Sequence, residues 1–378
     1  MRSRQRRLCR LLPQSRSLRR RQYSECVARR SNDRPRYRTG DRELDAAIAA
    51  LVEQAGAEND DLIFELIVSA VRLARDRADR GDLKIANAAL KEMRHAFHVF
   101  APYRSERKLA IFGSARTEAD DPLYDQARRL ATAMTAHDWM IITGAGPGIM
   151  EAGLEGAGPD NAFGVSIRLP FEAATSQFIA EGDPKLVNFR YFFTRKLEFV
   201  KEAHGFAMLP GGFGTMDETF ELLTLVQTGK TQPAPIVLLD MPGGTFWSSW
   251  RGFVERELVT GGYIDKRDLD LVLITDDVER AVDEVTGFYA NYHSQRFVEG
   301  RLVLRLHRAP DDTALEALNE EFADIVVRGP IERIAPTPAE EADDDHLDLE
   351  RIAFRFDRHG FARLRALIDR LNGREPAR

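Results

Sequence analysis

Three hydrophobic rhythms divide this chain of 378 residues. Between residues 41 and 100 apolar side chains recur at helical spacing. Leu44, Ile48, Leu51 and Val52 share one face, Ile63, Leu66, Ile67, Ala70, Val71 and Leu73 a second, and a third stripe covers 83–100. Ala101-Pro102-Tyr103-Arg104 breaks that pattern and marks a boundary near residue 103. From residue 108 short apolar runs alternate with helical segments. The runs 109–112, 139–143, 163–169, 205–209, 235–239 and 271–274 predict strands, and 123–137, 148–155, 189–203, 215–228 and 246–258 predict the helices between them. Uniformly apolar strands joined by helical crossovers specify a parallel sheet covered on both faces, so the expected fold is α/β with a Rossmann-like doubly wound sheet.

The third rhythm belongs to a small α+β appendage. Arg301-Leu302-Val303-Leu304-Arg305-Leu306 precedes a helical stretch near 313–327, and Arg351-Ile352-Ala353-Phe354-Arg355-Phe356 precedes one near 361–371. A proline- and acid-rich linker, 336–345, separates these two strand–helix units. The expected organisation is a disordered basic tail (1–40), a helical N-terminal region (41–103), a catalytic sheet domain (104–295) and the appendage (296–378).

Charge sharpens the first of these boundaries. Residues 1–40 hold 14 arginines against two acids, Glu25 and Asp33, and the remainder carries 40 basic and 58 acidic residues, a net of −18. The tail has the composition of a nucleic-acid arm, a transit peptide or a leader without a role, and the last is the expectation. An acidic body argues against nucleic acid as the main partner. No apolar run approaches a membrane span or follows the basic residues as in a secretory signal, so a cytoplasmic location is expected. Both cysteines, Cys9 and Cys26, lie in the tail, which leaves the body without thiolate chemistry. His95 and His98 stand three apart with no third ligand nearby, so no metal site is expected.

Ligands of such sheets sit at the carboxyl ends of the strands, and three loops there have suitable composition. The first, Phe112-Gly113-Ser114-Ala115-Arg116, is small enough to admit a ligand. The second, Thr143-Gly144-Ala145-Gly146-Pro147-Gly148-Ile149-Met150-Glu151-Ala152, is spaced Gly-x-Gly-Pro-Gly rather than G-x-G-x-x-G, and no acid closes the following strand to hold a ribose diol. A nucleotide edge suits this loop better than a bound dinucleotide. The third, Pro210-Gly211-Gly212-Phe213-Gly214-Thr215-Met216-Asp217-Glu218, stands between a strand and a helix, where glycines let the backbone approach an oxyanion and free helical N–H groups point at it. A carboxylate one turn into that helix is unusual beside a phosphate, which suggests that Glu218 is catalytic. A dipole-favoured helix acid is the plainer reading, but Asp217 would serve that purpose equally. Arg195 and Lys196, in the preceding aromatic helical segment, are placed to reach the same pocket.

Together, Gly-x-Gly-Pro-Gly-Ile-Met-Glu-Ala, then Arg-Lys, then Pro-Gly-Gly-x-Gly-Thr-x-x-Glu resemble the Lonely Guy family of nucleotide phosphoribohydrolases, many of which carry an old label as lysine decarboxylases. The likeness covers about 108–290, and the added N- and C-terminal regions resemble the longer bacterial members. It implies hydrolysis of the N-glycosidic bond of a nucleoside 5′-monophosphate, of the AMP or cytokinin riboside type, to free base and ribose 5-phosphate. It implies Arg195 and Glu218 as the catalytic pair. Substrate contacts would come from Gly113, Ser114, Gly146, Gly148, Glu151, Lys196, Pro210, Gly211, Gly212, Phe213, Gly214 and Thr215. Thr224 matches a further substrate-binding threonine, although Leu225 follows it where the family often has tryptophan. A homodimer or higher homo-oligomer is implied, with no metal or organic cofactor.

The chemistry fits independently. Cleavage of C1′–N builds oxocarbenium character on the ribose, which a carboxylate can face while it orients water. Arg195 could meet the phosphate, a sugar hydroxyl or the leaving base. Two rival readings are a pyridoxal-phosphate decarboxylase, for which no body lysine has the context, and a non-enzymatic nucleotide sensor, in which Glu218 would weaken anion binding.

Overall fold

The computed structural model describes residues 37–168, 177–180 and 182–374. Residues 1–36 of the expected tail, both cysteines, and Leu169 at the end of an expected strand lie outside them. The chain divides into two units, Met1–Asn87 and Ala88–Arg378. In the first, α1 (Arg42–Ala55) is N-capped by the Asp41 side chain and pairs with α2 (Asp60–Arg75). Their seam is Ile48 and Val52 against Phe64 and Val68, with Ile67 and Val71 beside it. The expected α2 stripe is therefore displaced, because Ile63 and Leu66 turn outward (37% and 52% exposed) and the Phe64–Val68 pair, one turn apart, faces α1. Helix α3 (Arg80–Phe100) runs across the division.

The second unit is built on seven parallel strands: β1 (Lys108–Phe112), β2 (Met140–Thr143), β3 (Ala162–Ile167), β4 (Leu186–Phe189), β5 (Gly205–Met208), β6 (Ile236–Leu239) and β7 (Val272–Thr275), ordered β4-β3-β2-β1-β5-β6-β7. Successive side chains enter opposite cores, as the pleat requires. Leu109, Ile111, Ile141, Ala207 and Val237 pack under α4 (Pro122–Ala136) and α5 (Ile149–Ala157). Ala110, Phe112, Ile142, Met208 and Leu238 pack on the other side, with α6 (Phe192–Glu202), α7 (Phe213–Gln227) and α8 (Phe246–Phe253). Helix α8 continues as a π-helical turn, Val254–Val259, and α9 (Val278–Gly287) follows β7. The doubly wound α/β expectation holds. Strand β4 is an addition, since the first residues of the expected helix 189–203 belong to a strand and its end.

The appendage also differs from two strand–helix units. Its sheet has four antiparallel strands in the order β10-β11-β9-β8: β8 (Tyr292–Val298), β9 (Arg301–Leu306), β10 (Val326–Arg333) and β11 (Glu350–Phe356). Helices α10 (Asp312–Glu321) and α12 (Phe361–Leu371) supply its apolar core, and the acid-rich linker folds into α11 (Pro338–Asp343). The buried Arg365 of α12 meets Glu284 of α9 and Asp369, which ties the appendage to the helical layer of the large sheet.

A second buried ion group sits inside the small sheet. Glu340, fully buried, receives Arg305 Nε at 2.8 Å and Arg351 Nε at 3.3 Å, and closes a capping box with Thr337. Burial would raise its pKa, but the Thr337 backbone N–H and the two guanidiniums outweigh burial and hold it at about 2. Glu340→Ala should cost about 3–5 kcal/mol in urea unfolding near neutral pH, because two buried guanidiniums lose the carboxylate they share. A folded pKa depressed from 4.5 means that this stabilisation is present above about pH 4.5 and is lost as pH falls through about 2. The difference between wild type and variant should shrink correspondingly in acid.

Candidate active site

The order of the sheet reverses between β1 and β5, and a crevice opens at their carboxyl ends. Phe112 pairs with Met208 at the last rung, so the loops after the two strands leave side by side. Ser114 joins all three expected loops. Its N–H donates to the Pro210 carbonyl at 3.2 Å, and its own carbonyl accepts from Ile149 N–H at 3.1 Å. Two glycines permit this. Gly148 has φ +69°, and a Cβ there would lie 2.4 Å from the Ser114 carbonyl oxygen; a Cβ on Gly211 would meet Thr215 Oγ1 at 2.2 Å. Gly113, Ser114, Gly146, Gly148, Pro210 and Gly211 are thus brought together, with Glu151 in the first turn of α5.

Helix α7 begins at Phe213 with no side-chain cap at Gly212, and its first backbone acceptance is Met216 N–H to Gly212 C=O. The preceding amides of Phe213, Gly214 and Thr215 therefore face the crevice side of the turn, where a helix N-terminus favours an anion. A Cβ at Gly212 or Gly214 would meet nothing within 4 Å. The fold itself does not demand glycine there, and the open space suits a ligand pressed against the backbone. Phe213 is 97% exposed and packs into no core.

One turn into α7, Glu218 stands against the aromatic wall of Phe112 and Phe199, with Lys196 and Arg195 approaching from α6. Arg195 Nε donates to the Val165 carbonyl of β3 at 2.8 Å, and its guanidinium passes so close to Gly144 that a Cβ there would lie 2.4 Å from Nη2. Lys196 Nζ lies 2.8 Å from Asp217 Oδ2, 3.6 Å from Glu218 Oε2 and 2.5 Å from Glu221 Oε2. Burial pushes the Glu218 carboxyl above the usual range, while Lys196 and Arg195 pull it back. The lysine is held charged: burial opposes its ammonium, but Asp217, Glu221 and Glu218 outweigh that.

Thr224 does not join this group. It is exposed three turns along α7, and its hydroxyl donates to the Phe220 carbonyl at 2.8 Å. Three residues to which the sequence assigns no place in the site do join it or support it. Asp217 and Glu221 meet Lys196. Glu92, from α3, accepts the Arg190 N–H at 3.0 Å and the Thr194 hydroxyl at 2.7 Å, and so caps the start of α6 from outside. Spacing on the helices could have aligned Glu221 with Asp217, but nothing local singles out Glu92. Beyond Arg195 on α6, Glu198 is fully buried with both carboxyl oxygens lacking a hydrogen-bond partner, and burial raises its pKa to about 7.

Gly144→Ala tests the packing of the arginine. The added methyl must displace the Arg195 guanidinium and the Met150 sulfur, both flexible side-chain ends, so ligand affinity or turnover should fall by about 10²-fold, the usual cost of misplacing a positioning group by an ångström. The unfolding midpoint should stay near that of wild type, because the arginine can swing aside.

Residues 145–285 match the family model described as "Possible lysine decarboxylase". The cytokinin riboside 5′-monophosphate phosphoribohydrolase LOG2 of Arabidopsis thaliana is 24% identical over 155 residues, covering 41% of this chain and 71% of that protein. The pyrimidine/purine nucleotide 5′-monophosphate nucleosidase of Escherichia coli K12 is 34% identical over 157 residues, covering 37% of this chain and 34% of the nucleosidase. The chain thus spans about a third of that second relative's length. Among solved structures, the Moco carrier protein of Chlamydomonas reinhardtii aligns over 48% of this chain and 96% of its own, with 19% identity and a TM-score of 0.33. The matched segment, which carries most of the second loop, the Arg-Lys pair and the glycine turn, is thus similar to the family described as possible lysine decarboxylase.

Proposed function

We propose that the protein hydrolyses the N-glycosidic bond of a nucleoside 5′-monophosphate, releasing free base and ribose 5-phosphate. The observation that carries this reading is the placement of Glu218, a half-buried carboxylate one turn beyond an uncapped, glycine-lined helix N-terminus. A phosphate against the amides of Phe213, Gly214 and Thr215 leaves the ribose to extend past Glu218. The names of the curated relatives support the same chemistry.

In the proposed reaction Glu218 orients a water and takes its proton as the water oxygen bonds to C1′. The C1′–N bond breaks with its electron pair going to the base, which then recovers the proton. The carboxylate also faces the positive charge that develops on the ribose. Arg195, anchored to Val165 beside the Gly144 loop, is assigned to the sugar and base side, and the helix amides to the phosphate. Binding of the remote phosphate positions the reacting bond. Cytoplasmic action and a homo-oligomer belong to the proposal; the exposed Phe192, Phe193 and Phe213 beside the site support the oligomer.

A panel of purine, pyrimidine and prenylated nucleoside monophosphates, assayed for free base and ribose 5-phosphate, tests the reading. At least one should be cleaved, and Glu218→Gln should lower kcat by about 10²–10⁴-fold while retaining nucleotide binding. Cleavage of none, with binding intact, would instead favour a sensor.

A further inference from the structure

A lysine that binds phosphate should present a free ammonium, and Lys196 does not. Its two shortest contacts, to Glu221 and Asp217, engage it with the acids of α7, and Glu218 receives the weakest of the three. Asp217 and Glu221 are four residues apart and so stack on one helical face, with Glu218 beside them. The charges that face Glu218 are Lys196 and Arg195 from α6 and Asp217 and Glu221 from α7, while Phe112, Phe199 and Met208 form apolar walls.

We infer that Lys196 is a positioning residue, the counter-ion that sets how readily Glu218 ionises, and that Asp217 and Glu221 restrain it by competing for its ammonium. This rests on the proposed role of Glu218 as the base. With the ammonium shared among three carboxylates, less of its charge acts on Glu218, which keeps more of the proton affinity that burial gives it. Of the two competitors, Glu221 holds the lysine more closely and is less exposed (36% against 63%), so solvent screens it less.

The inference predicts opposite displacements from two substitutions. In profiles of kcat/KM against pH on one nucleotide, Lys196→Met should move the acid limb up by about one unit, because an opposite charge near a carboxyl lowers its pKa by about that much or more. Glu221→Gln should move the limb down, since the lysine is released toward Glu218 and a like charge is lost. Lys196→Arg should keep the limb near its wild-type place. The substrate phosphate titrates identically in every profile, and Glu198 is present in every variant, so the differences belong to Glu218. Titration of the Glu218 carboxyl carbon by ¹³C NMR, assigned through Glu218→Gln, reads the same displacements without turnover. Failure of the base assignment alone would therefore leave this test intact. Unmoved titrations with a raised KM in Lys196→Met would make Lys196 a phosphate ligand and overturn the inference, as would displacement of both variants in one direction.

Discussion

The site depends on one short backbone relay through Ser114. Its N–H holds the loop after β5 and its carbonyl holds the first turn of α5, so three chain segments meet at fixed spacing without any side chain doing the joining. Backbone hydrogen bonds of this kind tolerate only residues small enough to let the chains approach. Gly148 must be glycine on two counts, its positive φ and the carbonyl that a Cβ would strike. The glycines of this site therefore divide into two classes. Gly148, Gly144 and Gly211 make room for the protein itself, whereas Gly212 and Gly214 leave space that the protein does not fill.

On that frame the charges are arranged in layers. The helix N-terminus offers partial positive charge without a titrating group, which suits a phosphate at any physiological pH. One turn deeper the acids of α7 meet the cations of α6, and apolar walls keep water from Glu218 while Asp217 stays largely exposed. Helix α3 contributes from outside the minimal sheet domain, since Glu92 fixes the start of the helix that carries Arg195 and Lys196. The appendage reaches the sheet layer on another side, through the ion group of Glu284, Arg365 and Asp369.

The large sheet was legible because its central strands are buried on both faces and read as unbroken apolar runs. Strand β4 was not, because Leu186–Phe189 merges with the aromatic stretch that follows. Strands β8 and β10 were hidden for a different reason: each is an edge of the small sheet, with polar residues separating its few apolar ones and, in β10, a Gly329-Pro330 interruption. In the site, the glycine loops announced themselves by composition. Asp217, Glu221 and Glu92 did not, since helix acids are ordinarily solvated and only the approach of α6 gives them partners. Thr224 shows the converse, a motif position whose hydroxyl the fold commits to its own helix.

The central claim is that the α7 N-terminus holds the phosphate and presents C1′ to Glu218. A crystal structure of Glu218→Gln soaked with a nucleoside monophosphate bound in solution tests it most directly. The account predicts the phosphate against the amides of Phe213, Gly214 and Thr215, with C1′ one water away from the substituted side chain. A phosphate seated elsewhere in the crevice, with the ribose turned from that side chain, would contradict it.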